Sequence, residues 1–154
     1  MALWLKASVL LASTIIVFLT FFVVPSVAKD LAEEKTYYAY LSTPFVVFVW
    51  VSVIPAAAAV PLSWAIFSEM GRDNSFCEKN ARYLKYISLL SLFIAAYYFI
   101  GIVLLLIAHL LYVPILICAA VIISICFLVS VSCAALSHLV MKAWLIKAEN
   151  DLTV

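Results

Sequence analysis

The side chains able to do chemistry are few and scattered. They are four cysteines (Cys77, Cys118, Cys126 and Cys133), two histidines (His109 and His138) and an adjacent phenol pair, Tyr97-Tyr98, inside an apolar stretch. Thiols build disulfide frameworks or zinc sites when they recur at short fixed spacing. No Cys-x-x-Cys occurs here, so neither is expected. A whole apolar run separates His109 from His138, which keeps them out of one site. No nucleophile has a base at local spacing, and two glycines, Gly71 and Gly101, cannot make a phosphate-cradling loop. The expectation is a protein that is not an enzyme and holds no metal and no cofactor. Polar residues gather in one island, Asp73-Asn74-Ser75-Phe76-Cys77-Glu78-Lys79-Asn80-Ala81-Arg82-Tyr83-Leu84-Lys85-Tyr86, with Arg72 at its edge. A second, smaller group, Glu149-Asn150-Asp151, lies near the end of the chain.

The elements that must position these residues can be read from composition. Of 154 residues, 69% are hydrophobic and 11% charged. Too few charged side chains are present to cover a soluble core of that size. Four apolar segments approach or exceed the roughly 20 residues needed to cross a bilayer as helix. The fold class is therefore all-α: a single polytopic membrane domain of four transmembrane helices. The spans read as about 7–28, 41–67, 84–108 and 114–141, with a polar loop at 68–83 and a polar tail at 142–154.

The first apolar run, Ala7 through Val24, competes with a secretory signal peptide, since Ser26-Val27-Ala28 offers small residues for cleavage. It exceeds the about 7–15 residues of a signal core, and the reading is a retained span. A short mixed-charge loop, Lys29 to Tyr40, closes on Tyr37, Tyr38 and Tyr40, which suit the headgroup layer. In the second span Pro44 falls in the first turn, where a missing N–H costs little. Pro55 and Pro61 are interior and predict a bent helix around Ala56-Ala57-Ala58-Ala59. The brief turn His109 to Val113 makes spans three and four an antiparallel hairpin, with Pro114 opening the fourth.

Counting basic residues by side threads the chain. Lys6, Arg72, Lys79, Arg82, Lys85, Lys142 and Lys147 collect on one side, against Lys29 and Lys35 on the other. Positive residues favour the cytoplasm, so both termini and the island are expected there. No Asp, Glu, Lys or Arg falls in the middle of a span, which argues against a proton-coupled or ion-coupled transporter. Tyr97 and Tyr98 lie near mid-membrane, where a phenol needs a partner; bonding to neighbouring helices is the expectation.

Within the island, Ser75-Phe76-Cys77-Glu78 fits a capping box, with Ser75 capping and Glu78 reaching back. Phe76, Asn80, Tyr83 or Leu84, and Ile87 then share one helix face that runs into span three, with Lys79, Arg82 and Lys85 pointing elsewhere. The tail reads as span four prolonged and stopped at Glu149-Asn150-Asp151. Asp151 is expected to pair with Arg72 or Arg82, an exposed and weak contact.

The run Ser75-Phe76-Cys77-Glu78-Lys79-Asn80-Ala81-Arg82-Tyr83-Leu84-Lys85-Tyr86-Ile87 resembles the inner loop of the YoaS-like bacterial membrane proteins, a family of unknown function. Phe76, Asn80, Arg82 and Leu84 match its pattern, and Glu149-Asn150-Asp151-Leu152-Thr153-Val154 is similar to its Glu-Asn-Asp-Leu-Thr-Ile ending. Ser75, Cys77 and Tyr83 depart from it. The resemblance implies a four-span protein of the bacterial inner membrane, encoded beside a small helix-turn-helix regulator. It puts partner binding or tail docking at Arg72, Phe76, Asn80, Arg82, Leu84, Lys85, Glu149, Asn150 and Asp151. The expected partners are the lipid bilayer and that regulator, with no direct contact to nucleic acid. The rival readings are an accessory subunit, whose Ser130/Ala134 face is buried against other subunits, and a small transporter or immunity protein.

Overall fold

The computed structural model describes residues 2–26, 28–29, 36–71, 76–109 and 112–152. Four helices account for nearly all of them. These are α1 (Ala2–Phe18), continued by a π-helical turn at Leu19–Val23, then α2 (Thr36–Met70), α3 (Glu78–Ile107) and α4 (Val113–Leu152). The π turn has a local cause. Pro25 cannot donate to the turn before it, and the Thr20 hydroxyl donates to the Ile16 carbonyl at 2.8 Å, so the ladder widens there.

Segments of all four helices are long and apolar enough to cross a membrane: Lys6–Ser26, Thr43–Met70, Glu78–Ile107 and Val113–Asn150. The large side chains Phe22, Ile54, Phe93, Ile107 and Leu128 are each 60% or more exposed, a surface suited to the bilayer interior. Among the described residues, extended contacts run between chain neighbours: α1 on α2, α2 on α3, and above all α3 on α4.

Three local expectations are corrected. The second helix starts at Thr36, so Pro44 is interior like Pro55 and Pro61 rather than in a first turn. The third starts at Glu78 with Cys77 as its cap residue, in extended conformation and with no side-chain cap bond. Glu78 contacts Arg82 one turn ahead, and Ser75, the other half of the expected capping box, lies outside the described residues. The fourth helix runs through Glu149 and Asn150 to Leu152. Carboxylates in a last turn oppose the helix dipole by only about 0.3–1 kcal/mol, too little to stop a helix.

The α3–α4 turn stores strain at one residue. Ala108 ends α3, its N–H bonded to the Leu104 carbonyl at 3.0 Å, and His109 comes next at φ 55° with its own N–H on Leu106 at 3.2 Å. A side chain in this left-handed region crowds its own carbonyl, a cost glycine does not have. His109→Gly should therefore raise the unfolding midpoint in detergent, by up to about 1 kcal/mol in stability. A β-branched His109→Val should lower it, and equal midpoints for the two variants would mean that the turn is not strained.

Candidate functional site

The α3–α4 hairpin is a ladder of small residues repeated every seven positions. On α3 these are Ala81, Ser88 and Ala95, all buried; on α4 they face Ser137 and Ser130. The Ser137 hydroxyl donates to the Ala81 carbonyl at 2.6 Å, and the Ser88 and Ser130 hydroxyls pair at 3.2 Å. The two bonds are seven residues apart on both helices, running in opposite directions. That fixes an antiparallel register of the coiled-coil type. Small side chains let the helices approach, and hydroxyl bonds in a membrane add about 0.6 kcal/mol each on average.

A second contact fastens α2 to α3 deeper in the span. Phe48 stacks on Tyr97 with ring centres 4.2 Å apart and meets Tyr98 edge-on at 5.5 Å. The Tyr97 phenol donates to the Phe48 carbonyl at 3.1 Å. Ser52 gives its proton to the Val49 carbonyl at 2.6 Å, so the Tyr98 phenol, 3.0 Å away, donates to Ser52. Both tyrosines thus bond to a neighbouring helix, as their depth required. Gly101 makes the closeness possible, since a Cβ there would stand 2.5 Å from Phe48 Cζ. Helix α1 is attached along α2 by Phe21 on Trp50 at 5.5 Å and by Lys6 Nζ over the Trp64 ring at 5.2 Å.

These contacts gather one end of the molecule, the basic end. Lys6 meets Trp64 there, and the start of α3 lies against the last third of α4. Among the candidate partner residues, Phe76 is 57% exposed and precedes the helix, so it does not share the face of Asn80 and Ile87. Asn80 is 1% exposed, turned inward beside Ala81 and out of reach of a partner. Leu84 is half-buried, while Arg82 and Lys85 are exposed. Arg82 closes on Glu78 in its own helix; the expected reach to Asp151 falls on a side chain outside the described ones. Glu149 and Asn150 are exposed on the far turns of α4. Arg72 lies outside the described residues, and the side chains of Asp151, Tyr37, Tyr38 and Tyr40 lie outside the described side chains.

Ser130 is buried inside the chain against Ser88, while Ala134 stays exposed, so the pair does not form one outward face for another subunit. His109 and His138 sit at opposite ends of the α3–α4 hairpin, consistent with their separation in sequence. Among the described residues no group of three His, Cys, Asp or Glu side chains gathers as metal ligands would. The residues that sequence reasoning missed as a set are Phe48, Ser52, Ala81, Ser88 and Gly101. For Ala81 and Ser88 the signal was small residues at seven-residue spacing, and for Phe48, Ser52 and Gly101 there was none.

Fold and surface define an all-helical membrane protein with four helices able to span the bilayer. The chain belongs to the family described as "Protein of unknown function (DUF2975)", whose model matches residues 26–154. It is similar to the "Uncharacterized membrane protein YoaS" of Bacillus subtilis (strain 168), with 31% identity over 153 residues, covering 98% of this chain and 96% of that one. No solved structure matches it.

Proposed function

We propose that this protein is a docking platform in the bacterial inner membrane, with both termini and the start of α3 in the cytoplasm. In this reading it holds a small helix-turn-helix regulator at the membrane through the basic end, touches nucleic acid only by way of that regulator, and performs no bond-making step. The observation that carries the reading is the seven-residue ladder. It locks α3 to α4 at the end where Phe76, Arg82 and Lys85 are exposed. A rigid scaffold presenting exposed apolar and charged groups is what a binding surface requires. The asymmetry of lysine and arginine supports the cytoplasmic assignment. The gene arrangement implied by the family resemblance supports the choice of partner.

Asn80 is buried and takes a supporting role in this reading, which leaves contact to Phe76, Arg82, Lys85, Glu149 and Asn150. Purification of the tagged protein in mild detergent tests the reading. The adjacent regulator should co-elute in a fixed ratio, and a regulator that stays soluble and unbound would sink it.

A further inference from the structure

We infer that the stretch Lys142–Lys147 of α4 is an anchor for anionic phospholipid headgroups. Helix length is the first support. Forty residues of α4 rise about 60 Å, against about 30 Å of hydrocarbon and about 40–45 Å with headgroups included. Ser137 faces Ala81, only the fourth residue of α3, so α4 runs on well past the start of its neighbour. From Val113 to Met141 the helix rises about 42 Å, so at an ordinary tilt of about 20° the turns just beyond Met141 lie in the headgroup layer.

The pattern of exposure is the second. Ser137, Met141, Trp144 and Ala148 are half-buried and continue the stripe that faces α3. On the opposite side Leu139 (61% exposed), Lys142 and Ile146 (62%) succeed one another at three- and four-residue spacing, with Leu145 (50%) beside them. A helix in water does not present three such aliphatics, and one in hydrocarbon does not carry Lys142 and exposed Lys147 among them. The mixture fits the boundary layer. There the aliphatics enter the acyl chains, the ammonium groups extend to the phosphates, and Trp144 takes the level that indole favours. Lys79 and Lys85, exposed on α3, add positive charge at the same end, while Glu78 is occupied by Arg82. The net positive charge of this surface favours lipids whose headgroups are net negative over zwitterionic ones, which commits it to anionic lipid.

Lipid binding of this kind does not depend on the regulator. The full chain is released from an equal mixture of phosphatidylcholine and phosphatidylglycerol, and native mass spectrometry counts the lipid retained. Wild type should keep phosphatidylglycerol in preference. Lys142→Gln with Lys147→Gln should lose that preference by roughly thirtyfold, the combined weight of two lysines at an anionic surface. Lys29→Gln, away from the basic end, should keep it. All three lysines are exposed, so the fold is not at issue, and unchanged circular dichroism checks it. Equal retention by wild type and the double variant overturns the inference. So does equal loss on Lys29→Gln, or displacement of the lipid by inorganic phosphate alone.

Discussion

Gly101→Leu should cause the largest loss of stability of any single replacement in the deep part of the span. Even a Cβ at this position meets Phe48 Cζ at 2.5 Å, and moving the ring disturbs its stack on Tyr97 and its edge contact with Tyr98. Leucine must therefore push α2 away from α3. Overpacking of this kind costs about 1–3 kcal/mol, and the separation also breaks the bonds from Tyr97 to Phe48 and from Tyr98 to Ser52. Each of those adds about 0.6 kcal/mol in a membrane setting. Unfolding in mixed micelles should show the effect, with Gly101→Ala falling between wild type and Gly101→Leu. Shortening the ring with Phe48→Leu should rescue part of the loss. If the two changes simply add, the contact between positions 48 and 101 is not the cause.

Ala81→Leu should be the second large effect, and it reaches function. Ala81 is 1% exposed and its carbonyl receives the Ser137 hydroxyl, so there is no room for three more carbons without moving α4. The expected cost is again about 1–3 kcal/mol. Because the fault lies at the basic end, the register of the proposed docking surface is lost with it. Ser137→Ala removes only the bond and should cost about 0.6 kcal/mol. Ala96→Leu, on an exposed face of the same helix, should be nearly neutral. A neutral Ala81→Leu would contradict the ladder as the element that holds α3 to α4.

The sequence made the spans legible because lipid imposes a length and composition requirement that needs no knowledge of packing. The polar island was legible as the entry to a helix for the same reason. Its details were not. The cap residue of the third helix is Cys77 and not Ser75, and Glu78 contacts Arg82, a partner that a linear motif cannot weigh. Asn80 read as a surface residue of a motif, yet it is 1% exposed, while Arg82, two residues on, faces outward. Gly101 carried no local signal, since its role depends on Phe48, fifty-three positions away in sequence and in contact only after α2 and α3 align. Tyr97 and Tyr98 were different. A phenol at membrane depth requires a partner, so the need could be stated before the partners Phe48 and Ser52 were known.

Whether the basic end is a partner surface can be measured directly in one titration. Purified regulator is added to the full-length protein in nanodiscs, and binding is followed for wild type and for Arg82→Glu with Lys85→Glu. Saturable binding to wild type, weakened at least tenfold by the charge reversal, is the expected result. Two exposed cations turned to anions change long-range attraction as well as contact, so the weakening should shrink as salt is raised. Absence of binding to wild type, or equal binding to both proteins at low and high salt, would contradict the docking platform.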